Sequence, residues 1–507
     1  MIKKQQQKIF IFGVAAIVLI LVYFIIIAPM VEKAMRPPEA EIPNLLEGEV
    51  LGIQNRILIM EHIEQADMQS IEVHNRYGTY AFDRDKNDEF QIRNNKNTPY
   101  SKEAFSSLVV STGYTLSMMR VMEHCDDMSE YGLDPSDDPA WYKITKLDRT
   151  EHIVYVGDMI PTGAGFYCRY ADRDAVYILD STLAYTVLQD VKVLIVPILS
   201  FPLSSTQYYM TKDFYIQKYG DLFVYITYLT EEERSMFAAQ ENTVYRMVHP
   251  AGYQPSVTNY DVVLQTFVNN GYGFMGTRTM EYGPPGDVLD DEILLSYGID
   301  PENPAYVVHY ATTQDGVNYF SNIILFSELT ADGRYYAYSM MFNLIAEVDP
   351  SIVEYLNWDI IKFVDRPIFQ RNINDIAKIE IISPEVNETF NLEGEGQDIL
   401  ITPMSTGKTF NKDEVQNFRQ FYKVLLSLQL EDYTENTSTD DLMATIIITT
   451  RAGFKFEYKF YPYSTRRAFF TIDGKGEFYL LRSMVDKMLS DCVKAVNFVP
   501  IDSDAHY

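Results

Sequence analysis

Apolar and polar positions along the chain fall into three textures. Residues 9–28 form an apolar run with no charged side chain. At about 1.5 Å per residue, a helix of that length reaches about 30 Å, the thickness of a bilayer's hydrocarbon core. The run therefore predicts a transmembrane helix. Beyond it come short stretches in which apolar and polar residues alternate, the period of half-buried strands. They lie at 70–73, 79–82, 90–92, 141–146, 152–156, 166–170 and 175–179. Helical spacing interrupts them. Ser101 stands as an N-cap before Glu103, with Phe105, Leu108, Val109 and Tyr114 at helical intervals. That helical segment is expected to continue to the turn signal Tyr131-Gly-Leu-Asp-Pro135. Asp180 precedes a second helix at 182–188, and Asn411 a further one at 413–428.

Strands, a helix, an antiparallel meander and a helix make an α+β unit, and the unit recurs. Ser111-Thr-Gly-Tyr-Thr-Leu-Ser-Met-Met-Arg-Val-Met-Glu123 aligns with Asn269-Asn-Gly-Tyr-Gly-Phe-Met-Gly-Thr-Arg-Thr-Met-Glu281. Gly113/Gly271, Tyr114/Tyr272, Arg120/Arg278, Met122/Met280 and Glu123/Glu281 are identical without a gap. Tyr131-Gly-Leu-Asp-Pro135 then returns as Tyr297-Gly-Ile-Asp-Pro301. A third, degenerate copy is expected at the C-terminus, where Asp375-Ile-Ala-Lys-Ile-Glu-Ile381 echoes Asp67-Met-Gln-Ser-Ile-Glu-Val73. The expected layout is a cytoplasmic tail at 1–8, a signal anchor at 9–28, a spacer at 29–66, and repeats at 67–200, 201–370 and 371–507.

Composition places this array. Lys3, Lys4 and Lys8 precede the apolar run, which favours a cytoplasmic N-terminus and an extracytoplasmic bulk at the cell membrane. The run exceeds a signal peptide's apolar region, and no small-residue cleavage pattern follows it. The 507 residues carry 42 basic and 71 acidic side chains, a net charge of −29. Such acidity argues against nucleic acid as a partner, because phosphate binding needs a basic footprint. Three cysteines exclude a disulfide-stapled scaffold.

The string Tyr131-Gly-Leu-Asp-Pro135, a following strand, the hairpin Val156-Gly-Asp-Met-Ile-Pro-Thr-Gly-Ala-Gly-Phe-Tyr167, then Ala175-Val-Tyr-Ile-Leu-Asp180, resembles the bacterial domain-of-unknown-function 4340 family. The resemblance covers residues 67–200 best and weakens at about 240–365, where Phe320-Ser-Asn-Ile replaces the hairpin entry. It implies a single-anchored exported protein beside an ABC exporter of the gliding-motility type. The expected function is that of a non-enzymatic accessory protein, with an ABC permease and its extracytoplasmic partner as partners. A cell-envelope adhesion or binding module is the alternative.

No catalytic, metal or cofactor residue is expected. Asp83-x-Asp85-x-Asn87 matches half a calcium loop, but Asp88 replaces the required glycine. His124-Cys125-Asp126-Asp127 are adjacent, so their side chains diverge. The Gly-x-Gly pieces lack the rest of a nucleotide-binding fingerprint. The repeated polar set Arg120, Glu123, Tyr131, Arg278, Glu281 and Tyr297 supplies the interaction candidates, with each Arg–Glu pair expected three residues apart on a helix.

Overall fold

The computed structural model describes residues 43–204, 211–229, 244–313, 315, 317–435 and 437–504. The tail and the transmembrane helix expected at 1–28, with the spacer up to residue 42, lie outside the described residues. Among the described residues no helix is long and apolar enough to cross a membrane.

Three eight-stranded sheets dominate, and every strand pairing within them is antiparallel. The first comprises Met68–Asn75, Gly78–Arg84, Phe90–Ile92, Ser117–Met122, Ala140–Lys146, Glu151–Met159, Gly165–Tyr170 and Val176–Asp180. Across the sheet these stand third, second, first, fifth, sixth, seventh, eighth and fourth in chain order. The second sheet runs from Thr211–Lys218 to Leu344–Val348 and the third from Ile376–Ile382 to Lys475–Leu481, both in the same order. Among the described residues the α-helices are α1 (Lys102–Gly113), α2 (Ser181–Leu188), α3 (Val257–Val268), α4 (Asp291–Ser296), α5 (Lys412–Leu426) and α6 (Arg482–Val496).

This corrects the expected α+β class. Strand makes up 39% and helix 23%, so the molecule is an antiparallel β protein with helices laid on its sheets. Two causes stand out. The first helix stops at Gly113, where a Cβ would sit 2.3 Å from the Ile63 carbonyl oxygen. The chain beyond it pairs as strand Ser117–Met122 with Val176–Asp180. In the second repeat, the position of α2 is taken by single 3-10 turns at Pro350–Ile352, Glu354–Asn357 and Ile360–Lys362. The buried residues there are Val353, Tyr355, Leu356, Trp358, Ile360 and Phe363, a spacing that no single helical face presents.

The chain forms two compact units. Among the described residues, one holds those from 43 to 94 with 100–194, the other 95–99 with those from 195 to 504. In the first unit, Tyr142, Ile144, Val154 and Val156 turn one sheet face inward, and α1 buries Phe105, Leu108 and Val109. The Phe105 ring lies 4.6 Å from Phe82 and 5.1 Å from Phe90. Residues 57–63, placed in the spacer by the sequence reading, are mostly buried here, and Leu58 bridges to Leu116. In the second unit, one continuous core runs from Ile198 to Ile501 and serves both sheets. All three cysteines are free, Cys168 and Cys492 being buried.

Candidate functional site

The six repeat-matched candidates turn out to be parts of the repeat's own architecture. Arg120 and Glu123 lie at the end of a strand, not on a helix. Their ion pair exists at 2.8 Å, but the nearer partner of Arg120 is Glu49 at 2.6 Å, whose side chain is fully buried. Tyr177 also donates to Glu49, and Arg120 reaches the Asn44 carbonyl, so the group clamps residues 44–49 onto the first sheet. The second copy differs. Arg278 pairs with Glu347 at 2.8 Å, and Glu281 instead accepts from the Tyr297 hydroxyl at 3.3 Å. Tyr131 sits edge-to-face on Tyr167 (4.8 Å) and Tyr297 on Tyr336 (5.1 Å), each partner lying on its sheet's seventh strand.

The Tyr-Gly-x-Asp-Pro motif is thereby explained residue by residue. Gly132 and Gly298 adopt left-handed φ of 64° and 71°, which closes the preceding turn. Leu133 and Ile299 are fully buried. Asp134 and Asp300 accept from the backbone of Ser136 and Glu302. The half calcium loop is likewise a turn: Asp85 accepts from the Asn87 and Glu89 amides, and Asp83 pairs with Arg93. Asp127 caps the 3-10 turn Met128–Tyr131. Among the described residues, no group of three or more His, Cys, Asp and Glu side chains is arranged to hold a metal.

A cleft of about 610 Å³ lies in the second unit. Its walls come from four places. The hairpin joining Thr211–Lys218 to Asp221–Tyr228 brings Lys218 and Phe223, and His249 ends the strand Tyr245–His249. The 3-10 turns bring Trp358 and Asp359. The third sheet's edge strand Leu430–Tyr433 and its neighbour Lys475–Leu481 bring Asp432, Tyr433 and Glu477.

Polar satisfaction in this cleft is uneven. Lys218 donates to the Trp358 carbonyl at 3.2 Å and lies 3.6 Å from the centre of the Phe223 ring. Burial lowers its pKa and also that of His249, so the imidazole stays neutral near pH 7. Burial raises the pKa of Glu477. Trp358 is 8% exposed, yet its indole Nε1 has no hydrogen-bond partner, and neither has Glu477 Oε2. A buried polar atom left in that state costs roughly 1–3 kcal/mol. Tyr433, by contrast, is 46% exposed.

No family model, no curated protein and no solved structure matches this chain. The cleft therefore stands on its own chemistry.

A smaller cleft of about 370 Å³ in the same unit is lined by Arg246, Arg371, Tyr253 and Tyr458. There the Arg371 guanidinium packs 3.6 Å from the centre of the Phe456 ring. None of the six interaction candidates from the sequence lines either cleft. The larger draws on positions near 218, 249, 358, 432 and 477, and no spacing rule connects them. One signal was present: Trp358 is one of only two tryptophans in the chain.

Proposed function

We propose that this chain is a membrane-anchored, extracytoplasmic, non-enzymatic binding protein that serves an ABC-type transport system as an accessory. One observation carries the binding part. The larger cleft combines the exposed ring of Tyr433 with the side chains of Lys218, Asp359, Asp432 and Glu477. The apolar run at 9–28 supports the anchor, and the family resemblance supports the transporter. Mild crosslinking of membranes followed by purification of the chain tests the role. Recovery of a permease or its extracytoplasmic partner is the expected result; repeated recovery of the chain alone overturns it.

The second reading is a cell-envelope adhesion or binding module, and the same cleft favours it, since aromatic rings beside carboxylates suit envelope polymers. The two readings separate in one experiment. Retention of the chain on purified envelope material from cells lacking the permease belongs to the second alone.

A further inference from the structure

We infer that the edge of the first sheet, where the hairpin at 50–58 lies against Ser117–Met122, rests in the interfacial layer of an uncharged lipid bilayer, with Ile53 and its aliphatic neighbours inserted. The inference rests on the reading of residues 9–28 as a membrane anchor and adds a second contact with lipid, made by the folded first unit.

The hairpin is small and rigid. Val50–Leu51 pairs with Ile57–Leu58. At its turn Gln54 and Asn55 hold left-handed φ of 57° and 56°, the geometry of a two-residue loop whose twist matches its strands. The Arg56 amide donates to the Ile53 carbonyl at 3.1 Å, and the Gly52 amide to the Arg56 carbonyl at 2.7 Å. The tip is thus closed by its own backbone, and Ile53 beside it is 61% exposed. Side chains fix the hairpin to the sheet. Arg56 Nε donates to the Ser117 carbonyl at 2.9 Å, and Ser117 Oγ to the Ile57 carbonyl at 2.8 Å.

Exposed aliphatic side chains gather on these adjoining segments. Leu45, Val50, Leu51 and Ile53 stand on one, and Met118, Met119 and Val121 on the other. Ser117–Met122 is the last strand of its sheet. Side chains alternate about such a strand, so a surface that meets it edge-on touches both sets. Apolar exposure concentrated in this way marks an interaction surface. The cations here are turned inward. Arg120 bonds Glu49 and the Asn44 carbonyl, and Arg173 bonds the Glu47 and Ile59 carbonyls. Glu47 and Glu123 are exposed, and the chain carries a net charge of −29, so anionic headgroups are disfavoured.

The place of the edge in the chain selects lipid as the occupant. Residues 29–42 separate the apolar run from the described chain, and fully extended they reach about 50 Å. The chain then enters the clamp at 44–49 and the hairpin directly. The patch is therefore held within reach of the bilayer that the anchor spans. Tethering of this kind supplies an effective concentration in the millimolar range, so apolar insertion too weak to recruit a free protein suffices.

The test uses the full-length chain in phosphatidylcholine vesicles. Cys168 and Cys492 are buried, so in a C125S background I53C takes an environment-sensitive label alone. The label is expected to shift to the blue. Doxyl-labelled lipid should quench it about twice as strongly as the same label at Y77C, on the turn between the sheet's second and third strands. L51E and M119E replace exposed side chains and should each bring quenching at residue 53 towards the level at residue 77, while melting within a few degrees of the parent. Replacing a third of the lipid by phosphatidylglycerol should weaken quenching; stronger quenching overturns the uncharged surface.

The outcomes separate the two readings. A chain that an alkaline wash strips from the vesicles removes the anchor and this inference with it. A chain that stays, with residue 53 quenched no more than residue 77, keeps the anchor and overturns the lipid contact. A blue shift without lipid quenching also overturns it, since a second copy or residues 29–42 then cover the edge.

Discussion

Arg120 shows how a residue chosen for its recurrence acquires a different meaning from its partners. It is 10% exposed at the side chain and bonds a fully buried Glu49 carboxylate, which also accepts from Tyr177 and the Leu46 amide. Burial alone would raise the Glu49 pKa, but the bonds from Leu46, Tyr177 and Arg120 together outweigh it and hold the pKa below the ordinary carboxylate value. Removing one partner of a buried ion pair costs about 3–5 kcal/mol. R120A is therefore expected to lower the stability of the first unit by about 3 kcal/mol, measured by denaturant titration. R278A removes a partner that is mostly exposed and should change stability far less. The pH dependence follows the same logic. A depressed folded pKa means the Glu49 contribution is present above the unfolded value of 4.5 and is lost as pH falls through the folded one. His152 acts in the same direction. Burial lowers its pKa from 6.5, so the unfolded chain takes up a proton first, and stability falls as pH drops below 6.5. Melting temperature is expected to decline from pH 7 to pH 4, and H152F should flatten the upper part of that decline; an unchanged slope between pH 7 and 5.5 would sink the histidine argument.

At the scale of elements, legibility follows the range of the interactions that decide them. Ser101 accepts from the Ala104 amide, and Asn411 and Glu414 form a reciprocal capping box, so both helix starts could be read from a few consecutive residues. Phe90–Ile92 also forms as its alternation indicates. The end of α1 could not be read that way. Its cause lies fifty residues upstream in the chain, where the Ile63 amide donates to the Gly113 carbonyl at 3.0 Å and the Ile63 carbonyl presses against Gly113. The strand that follows is held by pairing with Val176–Asp180, equally remote. Extending a helix past Gly113 was the local choice, and a tertiary contact overrode it. The contrast yields a prediction of relative size. N411A removes a cap and is expected to cost about 1 kcal/mol. G113A places a methyl group on a backbone oxygen that cannot rotate away, so its cost should approach the upper end of the roughly 1–3 kcal/mol range for overpacking. Denaturant midpoints for the two variants should fall in that order, and a G113A protein as stable as the parent would remove the steric explanation.

At the scale of the molecule, repetition and cooperativity part company. Three sheets share one strand order, yet the second and third share one core while the first belongs to the other unit. The repeat was legible because Gly113/Gly271 and Tyr131/Tyr297 recur in sequence. The shared core was not, because it joins residues such as Phe267 and Phe418 that belong to different copies and obey no common period. The larger cleft follows from the same sharing, since Lys218 and Trp358 come from the second copy and Asp432 and Glu477 from the third. A repeat array with only weak neighbour terms would let its third copy loosen alone. A continuous core predicts otherwise. Phe418 is fully buried and packs 4.8 Å from Phe390, so F418A should cost about 3–5 kcal/mol. Hydrogen exchange is expected to quicken in Ala444–Thr450 of the third sheet and, to a comparable degree, in Tyr306–Thr313 of the second. If only the third sheet loses protection, the two sheets open independently and the cleft between their residues is not a rigid site. If both lose protection together, any ligand that fills the cleft should raise the protection of both strands in the parent chain, because it binds the one folded state that the two copies share.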